Sequence, residues 1–268
     1  MALERADVLV SNRLGCSREK AKRYIKNGMV SHKGVEVKKP SQLLDNAEIL
    51  NIKDLGDERN SIHHVGRGAQ KLEGVIDSMD ISFQDKVVLD AGSSTGGFTQ
   101  VALLNGASKV YAVDVGKDQF SPSLRGDPRV LLMEERDIRN DLDIKGVDIL
   151  MADLSFISLV GLFKIFKNLI NSDGKILVLI KPQFELGTKV IGKRGVANNI
   201  SLHEEAINRV MEDASKEGLF LNDFSPSTIK GKKGNIEYFA LFSFIDNNFK
   251  FSYKNFKDRV EELKKLSS

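Results

Sequence analysis

Short, wholly apolar runs separated by amphipathic stretches dominate the chain from residue 65 onward. Val87 to Asp90, Lys109 to Asp114, Arg129 to Met133, Val147 to Ala152 and Lys175 to Ile180 read as buried strands. A strand covered on both faces is apolar at consecutive positions rather than at alternate ones. Between these runs apolar residues recur at helical spacing, predicting helices at Gly68 to Met79, from Gly97 to a stop by Gly106, at Leu159 to Leu169 and at Leu202 to Glu217. Leu219 to Phe224 and Ile236 to Phe244 add the last two strands. Strands alternating with helices predict an α/β fold of Rossmann-like type, with a mostly parallel sheet covered on both faces.

The front of the chain is patterned differently. Residues 17 to 27 open on Ser17 and stop at Gly28, and Ala21, Tyr24 and Ile25 share one helix face. Val30 to Val37 reads as a short hairpin around His32-Lys33-Gly34, and Glu48 to Ile52 as a further strand. A helix pair and a small curled sheet make a small α+β module. The polar stretch Asp54 to Ser61 lacks periodicity and marks a junction. The predicted organisation is a small domain over 1–55, a linker over 56–64, a larger domain over 65–247 and a tail over 248–268, with a peripheral helix at Lys257 to Lys265.

Composition narrows the class. Of 268 residues 41% are hydrophobic and 29% charged, the balance of a soluble globular protein. The longest apolar stretches, such as Ile176 to Ile180, are too short to span a bilayer, and the acidic N-terminus speaks against a secretion signal. Cys16 is the only cysteine, which excludes an internal disulfide and a cysteine-rich zinc site. The expectation is a cytoplasmic protein with no membrane partner, no metal and no obligate protein partner. Net charge is only +3, but Arg13 to Lys39 holds nine Lys or Arg against Glu19 and Glu36. That excess suits either a solvated surface or a footprint for phosphate backbones.

Candidate chemistry begins where the first strand ends, at Asp90-Ala91-Gly92-Ser93-Ser94-Thr95-Gly96-Gly97-Phe98. An acid, a glycine-rich turn and a helix start are how an open α/β sheet holds a nucleotide-like ligand beyond the carboxyl ends of its strands. Gly92 is expected to allow a tight turn, and Gly96 and Gly97 to let the backbone approach a ligand. The turn lacks the Gly-x-Gly-x-x-Gly fingerprint and the P-loop lysine, which makes NAD and ATP poor choices. Asp114 follows the second strand 24 residues after Asp90, where an acid receives a ribose diol. Asp137 follows the third and is placed to orient an adenine amino group; the alternative is a plain surface acid. S-adenosylmethionine suits a turn without a phosphate-binding lysine.

Two resemblances sharpen this. Ser17-Arg18-x-x-Ala21, Gly28-x-Val30 and Lys39-Pro40-Ser41 resemble the S4 RNA-binding fold, with Arg5-Ala6-Asp7 standing where that fold opens on Arg-Leu-Asp. The resemblance implies phosphate contacts from Arg13, Arg18, Lys20, Lys22, Arg23, Lys26 and Lys33. Over nearly the whole chain, Val65 to Leu72, Ser94 to Thr99, Tyr111 to Gly116, Asp153 to Leu159, Lys181 to Glu185 and Gly234 to Glu237 are similar in order and spacing to the TlyA family. That family joins an S4 domain to an FtsJ-like methyltransferase and methylates ribose 2′-hydroxyls of ribosomal RNA cytidines. Gln100 replaces the acid that usually follows Gly-Gly-Phe-Thr, and Lys193-Arg194-Gly195 replaces Lys-Gly-Gly.

The resemblance implies a catalytic set of Lys71, Asp153, Lys181 and Glu237. It implies a cofactor site for S-adenosylmethionine over Asp90, Gly92, Ser93, Ser94, Thr95, Gly96, Gly97, Phe98, Asp114, Val115, Asp137, Ile138 and Asp153. It implies ribosomal RNA or ribosomal subunits as partners, and further RNA contacts from Arg67, Lys189, Lys193, Arg194, Lys232 and Lys233. Lys181 ends an apolar run and precedes Pro182, so it stands at the sheet mouth. It can act as a general base only when neutral; burial and the Lys71 cation favour that form, while Asp153 and Glu237 oppose it. Glu237 is expected inside an apolar strand, where an unpaired carboxylate is costly. Phe98, Phe156 and Phe184 read as loop packing rather than base-stacking platforms, and His63 and His64 as interdomain packing or RNA contact. The competing readings are a non-catalytic RNA-binding protein, a dehydrogenase and a membrane-active hemolysin. The intact glycine turn, the missing dinucleotide fingerprint and the lack of a lytic element speak against them in that order.

Overall fold

The apolar runs become the centre of a seven-stranded sheet in a computed structural model that describes residues 3–14, 18–26, 28–45, 50–52, 64–140, 142–187, 195–197, 199–254, 256–258 and 260. The chain divides into two units, Met1–His63 and His64–Ser268.

In the first unit, β1 (Leu3–Arg5), α1 (Ala6–Leu14) and α2 (Arg18–Lys26) are followed by β2 (Val30–His32), β3 (Val35–Glu36), β4 (Leu43–Asp45) and β5 (Leu50–Ile52). β2 joins β3 through Lys33 and Gly34, both at positive φ, with His32 opposite Val35, a two-residue hairpin whose second position suits glycine while Lys33 takes up a conformation side chains rarely adopt. β2 also pairs with β5, and β1 with β4, a pair the hydrophobic pattern does not announce. Ala21, Tyr24 and Ile25 are buried as their spacing predicts, with Ala6, Val10, Val30 and Val37. Asp7 is fully buried and shared by two arginines: Arg5 Nε lies 3.0 Å from Oδ1 and Arg18 Nη2 3.0 Å from Oδ2. The bonds from Arg5, and then those from Arg18, outweigh burial and hold the carboxyl at about 2. That contribution to stability is complete above the usual carboxylate pKa and is lost as pH falls through about 2. Arg18, expected as a phosphate contact, is thus partly committed to structure.

The second unit contains α3 (Arg67–Ile76), β6 (Val87–Ala91), α4 (Gly97–Leu104), β7 (Lys109–Val113), α5 (Pro122–Arg125), β8 (Val130–Met133) and β9 (Val147–Ala152). It continues with α6 (Phe163–Leu169), β10 (Ile170–Ile180), α7 (Pro182–Glu185), α8 (Ile200–Lys216), β11 (Phe220–Pro226) and β12 (Tyr238–Ser243). The sheet order is β11-β12-β10-β9-β6-β7-β8, and only β12 runs against its neighbours. This is the expected α/β fold, with the order reversing between β6 and β9. Side chains alternate between two apolar layers. Ile176, Val178 and Ile180 face the layer that holds Phe163, Phe166 and Ile207, and Leu177 and Leu179 face the layer that holds Leu72, Val75 and Val101.

Differences from the hydrophobic pattern have physical causes. The helix expected from Leu159 begins only at Phe163, because Gly161 at φ 89° keeps the preceding residues in a turn. β10 starts five residues early and carries a register shift between Ile170 and Lys175. The tail is not peripheral: Phe256 and Val260 lie in the core beside Tyr238. Residues 56–63 of the predicted linker fall outside the described residues, as does most of the predicted terminal helix. Among the described residues no helix is long and apolar enough to cross a membrane.

α4 meets the start of α3 so closely that a Cβ on Gly97 would lie 2.7 Å from the Ala69 nitrogen, a backbone atom that cannot swing aside. Gly97→Ala should therefore lower stability by about 1–3 kcal/mol, the usual scale of overpacking. Urea unfolding should show a lower midpoint at an unchanged m-value; an unchanged midpoint would mean that the helices do not need this approach.

Candidate active site

The glycine turn joins β6 to α4 at the sheet's order reversal, where open α/β sheets bind ligands. Gly92 and Ser93 both donate their N–H to Val113 O, and Gly96 donates to Ser93 O. Gly92 and Gly96 have φ of 84° and 90°, open to glycine at little cost. Their neighbours differ from expectation. A Cβ on Gly96 would meet Leu124 at 2.6 Å and Phe120 at 2.9 Å, and one on Gly92 would meet Asp153 O at 2.9 Å. These glycines, with Gly97, thus accommodate the protein's own elements rather than clearing space for a ligand by themselves. Phe98 is likewise core, stacked on Phe239 with centroids 6.0 Å apart.

The acids at the strand ends organise the turn. Asp114 accepts from Ser94 N at 2.8 Å and Gly116 N at 2.7 Å. Asp90 Oδ2 accepts from Thr99 N at 2.9 Å and Thr99 Oγ1 at 2.6 Å, capping α4 from the adjoining strand. Asp90 Oδ1 and Ser93 Oγ are buried without a hydrogen-bond partner among the described residues. Two unsatisfied acceptors behind an acid-rimmed turn fit a ligand that brings hydrogen-bond donors. Asp137 is gripped by Arg139, whose Nε and Nη2 reach both its oxygens. Ile138 is buried and Val115 exposed.

Lys71 from α3, Asp153 after β9, Lys181 after β10 and Glu237 just before β12 come together in one chain of charges. Lys71 Nζ lies 2.7 Å from Glu237 Oε2 and 3.9 Å from Asp153 Oδ2. Lys181 Nζ lies 2.7 Å from Asp153 Oδ1. The two lysine side chains are only 10% and 6% exposed. Glu237 precedes its strand rather than lying within it, and its carbonyl accepts from Ser227 N. The sequence pattern did not single out Ser155, whose Oγ accepts from Lys181 Nζ at 2.8 Å. Nor did it single out Glu185, which accepts from Ser158 Oγ and Leu159 N. The only signal was position, two residues after Asp153 and four after Lys181.

The remaining expected residues are more scattered in role. Phe156 is 87% exposed at φ 67°, tilted against Phe184 at 5.2 Å, so loop packing accounts for little of it. His64 Nε2 lies 3.4 Å from Glu73 Oε2, and His63 lies outside the described residues. Arg67 is exposed and donates to Lys230 O at 2.6 Å, while Lys232, Lys233, Arg13, Lys26 and Lys33 are exposed and Lys22 is half-buried. The side chains of Lys20 and Arg23, and Lys189, Lys193 and Arg194 entirely, lie outside the described residues.

The profile of the FtsJ-like methyltransferase family matches residues 64–244. The chain is 38% identical over 240 residues to YqxC of Bacillus subtilis, described as a candidate rRNA methyltransferase, covering 88% of this chain and 84% of that one. It is 37% identical over 234 residues to the 16S/23S rRNA (cytidine-2'-O)-methyltransferase TlyA of Mycobacterium tuberculosis, covering 86% of each. A solved structure from Streptococcus thermophilus, described as a candidate hemolysin, superposes with a TM-score of 0.64 at 35% identity, covering 90% of this chain and 88% of that one.

Burial pushes the Asp90 carboxyl up to about 7 against its bonds from Thr99, and the charges of Asp153 and Asp114 add to the rise. A raised carboxyl contributes stability that is complete below its unfolded pKa of about 4 and lost as pH rises through its folded value. Asp90→Asn keeps the shape and removes the titration. Melting curves should show the variant gaining on the parent as pH rises through this window; a constant difference would place the Asp90 titration elsewhere.

Proposed function

The chain belongs to the FtsJ-like methyltransferases, in their TlyA branch, and from that premise we propose that it methylates a ribose 2′-hydroxyl of a cytidine in ribosomal RNA, with Lys181 as the general base. It is an S-adenosylmethionine-dependent methyltransferase. When bound, S-adenosylmethionine supplies a methyl carbon made electrophilic by its sulfonium and leaves as a neutral thioether. The observation that carries the reading is the nearly buried chain Glu237–Lys71–Asp153–Lys181 beside the glycine turn.

A ribose hydroxyl is a weak nucleophile and must lose its proton as the new oxygen–carbon bond forms. Lys181, in its neutral form, takes that proton on Nζ and becomes an ammonium already paired with Asp153. Lys71 holds the opposite side of Asp153 and is itself neutralised by Glu237, so the new cation appears where its counter-charge waits. Asp114 keeps lone pairs for a ribose diol while it shapes the turn, and Asp90 Oδ1 and Ser93 Oγ offer acceptors to the cofactor's donors. Attack in line on a held methyl donor makes positioning a large part of the work. Exposed Arg13, Lys26 and Lys33 supply phosphate contacts that give affinity and register rather than base choice.

Labelled S-adenosylmethionine incubated with separated ribosomal subunits, followed by nucleoside mapping, should recover 2′-O-methylcytidine; label on a base or on protein would overturn the reading. Lys181→Ala should slow single-turnover methylation by about 10² or more while cofactor affinity by calorimetry stays put. A loss under about threefold at every pH tested would remove Lys181 from the role of base. Replacing Arg13, Lys26 and Lys33 together by Gln should flatten the salt dependence of particle binding by about two in log–log slope, as fewer counterions are released. An unchanged slope would make these residues a solvated face.

A further inference from the structure

Lys181 meets a hydroxyl as well as a carboxylate, and both come from the same loop. Its Nζ lies 2.7 Å from Asp153 Oδ1 and 2.8 Å from Ser155 Oγ. A neutral amine nitrogen is tetrahedral, with one bond to carbon, two hydrogens and one lone pair. Ser155 Oγ takes one hydrogen in a directional bond, while Asp153 Oδ1, an ion-pair contact outside hydrogen-bond geometry, draws the group only by charge, so Ser155 is what restricts where the lone pair can point. With Asp153 alone, the amine could turn about its Cδ–Cε and Cε–Nζ bonds and present a hydrogen where the lone pair is needed.

The loop that carries Ser155 is fastened at its far end by the same short helix that begins after Lys181. Glu185 closes α7, and its carboxylate accepts from Ser158 Oγ at 2.5 Å and from Leu159 N at 3.1 Å. It is a buried carboxylate whose burial pushes its pKa up against the bonds from Ser158 and Leu159 and, less, the charge of Arg209. Between the two fastenings Phe156 adopts φ 67°, a conformation a bulky side chain takes only when its surroundings over-determine it.

We propose that Ser155 is a positioning residue for methyl transfer: with Asp153 it turns the Lys181 lone pair toward the incoming hydroxyl, and Glu185 keeps Ser155 in reach by anchoring the other end of its loop. The inference rests on Lys181 being the base. As the hydroxyl oxygen bonds to the methyl carbon, its O–H bond breaks and the proton arrives at the free corner of Nζ, while the carbon–sulfur bond breaks with its electron pair going to sulfur. Neither the hydrogen bond to Ser155 nor the ion pair with Asp153 has to move.

The test uses the full chain, saturating S-adenosylmethionine and ribosomal subunits under single turnover. Ser155→Ala should lower the maximal rate about tenfold, the cost of a misdirected reacting group, with half-saturating particle concentration and cofactor affinity within about twofold. Ser155→Thr, which restores the acceptor, should recover most of the rate. Glu185→Gln should slow the reaction as well, and the double variant should be no slower than Ser155→Ala alone, because both changes act through one contact. Thermal unfolding of each variant separates these effects from loss of fold. Full rate in Ser155→Ala while Lys181→Ala is inactive would overturn the inference and leave the base assignment standing. Appreciable rate in Lys181→Ala would overturn the base assignment and the inference with it. Multiplicative losses in the double variant would overturn the anchoring by Glu185.

Discussion

Two lysine side chains lie almost out of solvent at the mouth of the sheet, and the fold brings a carboxylate within 2.7 Å of each. An ammonium group left there alone would cost several kcal/mol. The four charges come from α3, the ends of β9 and β10, and the approach to β12, so their pairing depends on the order of the central strands and on how α3 packs across them. Leu72 and Val75, on the helix that carries Lys71, share one apolar layer with Leu177 and Leu179 of the sheet. Buried ion pairs are weak evidence for stability, because well-packed apolar side chains hold a sheet as well or better. What this quartet supplies is a place where a proton can change hands without leaving a bare charge.

Parallel, doubly covered strands are the most legible feature of such a chain. A strand with one open face would put every second side chain of a continuous apolar run into water. Val147–Ala152 begins and ends where the pattern predicts, and Lys181 stands at the sheet mouth as expected. Contacts between elements distant in sequence were not legible. Nothing local to Gly97 shows that Ala69 lies against it, and nothing local to His64 shows that Glu73 will turn back to meet it one helical segment later. The short helices α5 and α7 have one turn each, too little for periodicity to register. Phe256 and Val260 looked peripheral because a short amphipathic segment reads the same whether its apolar face meets a core or water.

Charge is used in two ways in this chain, and counting residues does not separate them. Arg18 belongs to the basic stretch between Arg13 and Lys39, yet its guanidinium is bonded to a buried aspartate. Arg139 similarly closes on Asp137. Lys26 and Arg13, by contrast, extend into solvent. A local excess of positive charge therefore overstates the charge available to a polyanion, since each arginine already paired gains less from meeting a phosphate.

The same distinction applies around the glycine turn. Asp90, Asp114 and Asp153 crowd one end of the sheet, and their mutual repulsion helps push Asp90 upward. Each is restrained differently: Asp90 by Thr99, Asp114 by two backbone N–H groups, and Asp153 by the lysines. Bonds to backbone N–H groups leave Asp114 fixed but still able to accept from outside, whereas Asp153 is enclosed between cations and is best suited to holding them. The division follows from what each carboxylate faces. The acid bonded to backbone can serve a ligand, the acid bonded to lysine can serve the base, and the buried acid at the helix start joins the two by fixing the turn between them.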